Sequence, residues 1–138
     1  MARLEHDRIV RAIAAAETRT SGEIRVFIQH GELDDVVAAA GDQFQKLGMT
    51  GTRERNAVLI FVAPRAQKFA VVGDEGIHQR CGDKFWQELV EAIGAYFQRE
   101  DFTSAIVQAI EVAGERLAEH FPRTPDDRNE LPNRVEEG

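Results

Sequence analysis

Residues 55–74, RNAVLIFVAPRAQKFAVVGD, carry the strongest pattern in the chain. Ala57 to Ala63 is an unbroken apolar run, Pro64-Arg65-Ala66-Gln67 reads as a turn, and Lys68 to Val72 reads as a second short strand. A strand apolar at every position is buried on both faces, so helices must cover it from both sides. Upstream, Glu23 to Gln29 alternates, with Ile24, Val26 and Ile28 facing one way and Arg25 and Gln29 the other. That alternation predicts a strand less buried than the central one.

The helices follow from the spacing of the remaining apolar positions. Ile9, Val10, Ile13 and Ala14 recur at helical intervals, and Thr20-Ser21-Gly22 is expected to stop that helix, with the glycine as C-cap. Asp34 or Asp35 can cap a second helix carrying Val37, Ala40, Phe44 and Leu47 and ended by Gly48. Strand, helix and strand at this spacing predict a right-handed parallel crossover. The four-residue turn at Pro64 makes the third strand antiparallel to the second. Asp83 is the expected N-cap of a third helix with a stripe of Trp86, Leu89, Val90, Ile93 and Phe97. A fourth carries Phe102, Ile106, Ala109, Ile110, Ala113 and Leu117 and is stopped at Pro122. The fold class is α/β: a three-layer α/β/α sandwich around a small mixed β-sheet. Residues 1–122 form the domain, and residues 123–138 a polar, proline-punctuated tail lying extended on the surface, anchored by Leu131 and Val135.

Length and charge narrow the functional classes. A chain of 138 residues suits one domain, which buries roughly 68–70% of its unfolded surface and needs no disulfide or structural metal. The net charge of −7 argues against a nucleic-acid surface, which needs clustered Lys and Arg, and against docking on an acidic leaflet. Cys81 is the sole cysteine, so no internal disulfide forms. No apolar window reaches the length of a signal-peptide core or a transmembrane span. The expectation is a cytoplasmic protein that is not inserted in a membrane.

Strand direction turns these elements into a location for chemistry. The first two strands start at one edge of the sheet, and the third ends there. Four segments should meet at that edge: Ser21-Gly22-Glu23, the connection from Met49 to Arg53, Arg55-Asn56, and Gly73-Asp74-Glu75 with His78. Carboxylate and amide oxygens from several loops suit Ca²⁺ or Mg²⁺, which nominates Glu23, Asn56, Asp74 and Glu75 as metal ligands. A metal beside Arg55 could hold and polarise a phosphate monoester, with Arg55 and Asp74 as the catalytic pair. The competing structural reading is that Asp74 and Glu75 favour a helix N-terminus.

Recognised catalytic motifs are missing. A cysteine-phosphatase loop would need an arginine six positions after Cys81, where Gln87 stands. No Asp-x-Asp pair, GxxxxGK[ST] loop, HExxH or GxSxG occurs. Other polar residues have ordinary roles in view. His120 complements a helix C-terminus, Phe85 and Trp86 pack the core, and Asp126, Asp127 and Glu130 form a solvated acidic tail. Arg80 and Lys84 lie near Cys81, a setting that can lower a thiol pKa, but a half-buried structural thiol is the better reading of it.

Taken together, SGEIRV (Ser21 to Val26), the central hairpin, EGIHQRCGDKFWQELV and HFPRTPDDRNELP resemble the TPM domain. The resemblance runs from Ser21 to Pro132. It implies an α/β/α sandwich, an Asn-Gly pair opening the second strand, and a glycine-rich turn after the third. Here these are Asn56-Ala57 and Gly73-Asp74-Glu75-Gly76; Ala57 departs from the pattern. The family has no single agreed activity. Acid phosphatase activity is associated with a plant member, and other members are tied to membrane-protein assembly and maintenance. The resemblance, the oxygen ligands converging at one edge and the missing catalytic motifs together point to a binding or interaction module with a Ca or Mg site, and the family's membrane ties imply a protein partner at a membrane. The alternative is a slow metal-dependent acid phosphatase using the same edge.

Overall fold

The computed structural model describes residues 4–123 and 135–137. Four helices, α1 (His6–Glu17), α2 (Val36–Lys46), α3 (Glu75–Phe97) and α4 (Phe102–His120), surround strands β1 (Glu23–Ile28), β2 (Ala57–Ala63), β3 (Lys68–Gly73) and β4 (Val135–Glu137). The sheet order is β3-β2-β1-β4. β1 runs parallel to β2 with Glu23 opposite Ala57, and β3 returns antiparallel with Gly73 opposite Val58. Side chains of β1 and β2 that share a register position share a face. Ile24, Val26, Ile28, Val58, Ile60 and Val62 pack against α1, α3 and α4. Phe27, Ala57, Leu59 and Phe61 pack with Ala40 and Phe44 of α2. Helices thus cover both faces, and the architecture is the expected three-layer sandwich.

Several details differ from the sequence pattern for identifiable reasons. β1 is buried along its whole length, because β4 joins it in parallel, Val135 opposite Val26, and moves it inside the sheet. A three-residue strand is too short to show a period, so the chain after Pro122 read as tail alone. The first helix ends at Glu17, with Thr18 as its C-cap. Gly22 instead lies buried against Leu117 and the Asn56 carbonyl. Val37 and Val90, expected on buried stripes, are exposed. Asp35 does cap α2, accepting from the Val37 and Ala38 N–H groups. Asp101, not singled out by the sequence pattern, caps α4 through the Ser104 N–H.

α3 starts eight residues earlier than Asp83. Its first leg opens on Asp74, whose side chain accepts the Glu75 N–H at 2.8 Å. Gly82, at φ 69° and ψ −171°, breaks the helix immediately before Asp83, a conformation that is essentially confined to glycine. Asp83 therefore opens the second leg, and its apolar stripe marked that leg correctly.

At the α1–β1 corner a carboxyl takes up a strand N–H. Glu17 is buried, and its Oε2 accepts the Ile24 N–H at 2.9 Å, upstream of the point where β4 begins to pair. Its Oε1 is also buried and meets no donor among the described residues. Burial pushes the Glu17 carboxyl from an ordinary 4.5 up to about 8; the Ile24 bond opposes this, while the neighbouring Glu23 adds to it and Arg123 works against it. Two carboxylates can only accept hydrogen bonds, whereas a protonated Glu17 can donate one. The folded chain therefore holds a proton that the unfolded chain releases between pH 4.5 and about 8. Because the folded state binds more protons in that window, this group makes stability fall as pH rises through it. Urea unfolding from pH 5 to 8 is expected to show a decline of at most about 1.4 kcal/mol per pH unit that Glu17→Gln removes. An equal pH dependence in both proteins would clear Glu17 of the effect.

Candidate functional site

The edge where β1 and β2 begin and β3 ends is joined by a continuous set of hydrogen bonds. Asn56, 1% exposed, directs its Nδ2 to Ser21 Oγ and to Glu54 Oε2, both at 3.2 Å. Ser21 Oγ donates to the same Glu54 oxygen at 2.7 Å. The Asn56 N–H donates to Thr52 Oγ1, which closes the connection from α2 onto β2. On the β3 side, Arg55 forks onto Asp74, Nε to Oδ2 at 2.6 Å and Nη2 to Oδ1 at 2.8 Å. Its Nη1 lies 3.5 Å from a Glu75 oxygen. The Asp74 hydrogen bond, above all, raises the Arg55 pKa and keeps the guanidinium charged.

The backbone makes this arrangement rigid. Arg55 adopts φ 53°, an uncommon conformation for a residue with a Cβ. Its carbonyl accepts the Gly76 N–H at 2.9 Å. A Cβ on Gly76 would lie 2.3 Å from the Glu54 carbonyl oxygen and 2.6 Å from that of Arg55. The turn before β2 and the first turn of α3 therefore meet at a distance that only glycine permits.

Of the residues nominated from sequence, Arg55, Asp74 and Glu75 come together, and Asn56 joins Ser21 and Glu54 beside them. Glu23 shares the edge through its backbone, its N–H reaching the Asn56 carbonyl at 3.4 Å. Its carboxyl is buried and interacts with Glu17 at the end of α1. The ring of His78 lies against Trp86, 4.9 Å between centroids. Glu54 was missed; the signal was its position two residues before Asn56 in the polar run leading into β2. Among the described residues no three His, Cys, Asp or Glu side chains are placed to hold a metal ion. Asp126, Asp127 and Glu130, with the NELP stretch, lie outside the described residues.

Elsewhere, a cleft of about 150 Å³ between α3 and α4 is lined by Cys81, Lys84, Phe85, Glu88, Arg116, Glu119 and His120. Burial pushes the Cys81 thiol up, and Glu119 adds to the rise, so the thiolate is disfavoured there. Arg80 opposes this only in part, since its guanidinium donates to the His120 carbonyl and stacks on Phe121. Cys81 is a half-buried structural thiol.

A family model for the TPM domain matches residues 2–116. The chain belongs to the TPM domain family. The solved structure of BA42 protein from the psychrophilic bacterium Bizionia argentinensis is similar over 99% of this chain and 97% of its own, at 40% identity and a TM-score of 0.92. The N-terminal domain of cg2496 protein from Corynebacterium glutamicum shares the fold at 15% identity and a TM-score of 0.59, over 96% of this chain and 77% of its own. No curated protein matches. This TPM domain stands without any helix long and apolar enough to cross a membrane among its described residues.

The contact at Gly76 gives a direct test of how tightly the edge is built. Gly76→Ala is expected to lower unfolding free energy by about 1–3 kcal/mol through overpacking, measured by urea denaturation. Loss of less than half of that would show that the turn before β2 yields freely.

Proposed function

We propose that this TPM domain is a binding module whose site is the edge formed by Ser21, Glu54, Arg55, Asn56, Asp74 and Glu75, and whose ligand is a hard divalent cation, Ca²⁺ or Mg²⁺. The observation that supports this reading is the convergence of carboxylate, amide and hydroxyl groups from three separate connections on one strand edge. Their chemistry fits the group: such cations take oxygen ligands from several chain segments. Glu54, Asp74 and Glu75 would hold it after moving together, since as they stand no three such side chains among the described residues surround a metal position, with Asn56 and Ser21 orienting Glu54. Glu54 and Glu75 are exposed, so a cation can reach them from solvent. A bound cation would supply charge to bridge these carboxylates and to draw in an acidic or carbonyl-bearing group of a protein partner. A partner at a membrane and a cytoplasmic setting belong to this proposal, carried over from the family and the composition.

The rival reading, a slow acid phosphatase, has less support, because the arginine it needs for phosphate is engaged by Asp74 and Glu75. Calorimetric titration of calcium and magnesium chloride into chelator-stripped protein tests the proposal. Saturable binding is expected, weakened about tenfold or more by Glu54→Gln and by Asp74→Asn, a loss of about 1.4 kcal/mol or more. No binding heat, together with a melting temperature unmoved by excess metal, would discard the cation site.

A further inference from the structure

We propose that the α1–β1 corner is a proton-held clasp on the chain leaving α4. While Glu17 and Glu23 share a proton, residues 121–123 stay fastened to the start of β1; when it leaves, corner and chain open together. Glu17 sits where three segments meet. Its Oε2 accepts the Ile24 N–H of β1 at 2.9 Å, and its backbone carbonyl accepts Arg123 Nη1 at 2.7 Å. The same junction is closed by the Arg123 N–H on the Arg19 carbonyl at 3.3 Å and the Ser21 N–H on the Phe121 carbonyl at 3.0 Å. Thr20 adds its hydroxyl to that carbonyl and a bridge to Pro122. The whole fastening lies within a few residues of one buried acid pair.

Glu17 and Glu23 are 3% and 2% exposed. A neutral Glu17 can donate a hydrogen bond to Glu23, whereas two carboxylates can only accept. Ionising both in place would bury like charges side by side, and opening to water relieves that. Burial is the chief cause that holds the Glu17 pKa up at about 8, with Glu23 adding to it and the Ile24 bond and Arg123 opposing. Of the other elements packed on the corner, α4 presents Gly114 and Leu117, which carry no charge. Arg19 follows α1 with its guanidinium near Gly114, Arg25 is buried further along β1, and Glu54 reaches Ser21 from the turn before β2. Through Ser21 the opening extends to the site edge, but the clasp does not rest on the cation reading. In the opened corner Glu17 is solvated and titrates near its ordinary 4.5. Opening therefore becomes easier as pH rises from there to about 8, and no easier beyond.

The test is amide hydrogen exchange of the full chain, followed by NMR from about pH 5 to about pH 9 and corrected for intrinsic base catalysis. The Ser21, Ile24 and Arg123 amides are expected to exchange faster than those of Ile60 and Phe61 in β2. They should lose protection together, by up to about tenfold per pH unit, and level off near about pH 8. Glu17→Gln keeps a neutral side chain that still accepts the Ile24 N–H, and should remove the pH dependence at all three. If that variant fails to fold, Glu23→Gln carries the test: it removes the like charge, so the loss of protection should level off at a lower pH. Protection at Ser21 and Arg123 that ignores pH, while Ile24 alone responds, would overturn the clasp. So would a pH dependence that survives Glu17→Gln, or three amides that exchange only as slowly as β2, since global unfolding would then account for them.

Discussion

The paired burial of β1 and β2 is the constraint from which the rest of the molecule follows. Every residue of both strands is buried, and Phe27 and Phe61 stack at 5.4 Å on the face that α2 covers. A sheet closed on both faces leaves no solvated surface along its strands. Polar groups gather where strands start and stop, with Arg25 in the middle of β1 as a buried exception. α1, α3 and α4 are held on one side because Ile24, Val26, Ile28 and their β2 neighbours need cover there. α2 is held on the other for the same reason.

That exclusion concentrates charge at the strand ends, and the two ends of the story are both carboxyls beside β1 or β2. Glu17 accepts the Ile24 N–H and keeps its proton because it is buried. Asp74 takes both arms of the Arg55 fork and caps the first turn of α3 through the Glu75 N–H. The difference lies in what each faces. Glu17 is desolvated beside another carboxyl, which favours its neutral form, whereas Asp74 faces a guanidinium and a helix N-terminus. One group is thereby a proton store at the corner, and the other the anchor of an ion pair.

The comparison structures separate scaffold from site. At 15% identity the layers persist with a TM-score of 0.59, as expected when the requirement is apolar volume at alternating positions rather than particular side chains. At 40% identity the chain is followed almost throughout. In this chain the residue after Asn56 is alanine, and it packs beneath α2 with Leu59 and Phe61. The close backbone approach at this edge is made in the turn before it, where the Glu54 and Arg55 carbonyls meet Gly76.

How much of this could be read in advance depends on the range of the interaction involved. Local periodicity was sufficient for the apolar run of β2, the hairpin at Pro64, the second leg of α3, α4, and the Asp35 cap, since each depends on neighbours a few residues away. Strand direction was sufficient to bring Arg55, Asn56, Asp74 and Glu75 to one edge. The neighbour of Glu23 lay beyond that reading: Glu17, brought in from the end of α1, interacts with it, a tertiary contact that no local pattern marks. The burial of β1 needed β4, a partner more than a hundred residues downstream with no period of its own. The early start of α3 needed the contact between Gly76 and the turn before β2. Short-range pattern specified which segments are strands and helices; packing across the fold chose the partner of each charged side chain, because a carboxyl's protonation and pairing depend on the groups that folding places around it.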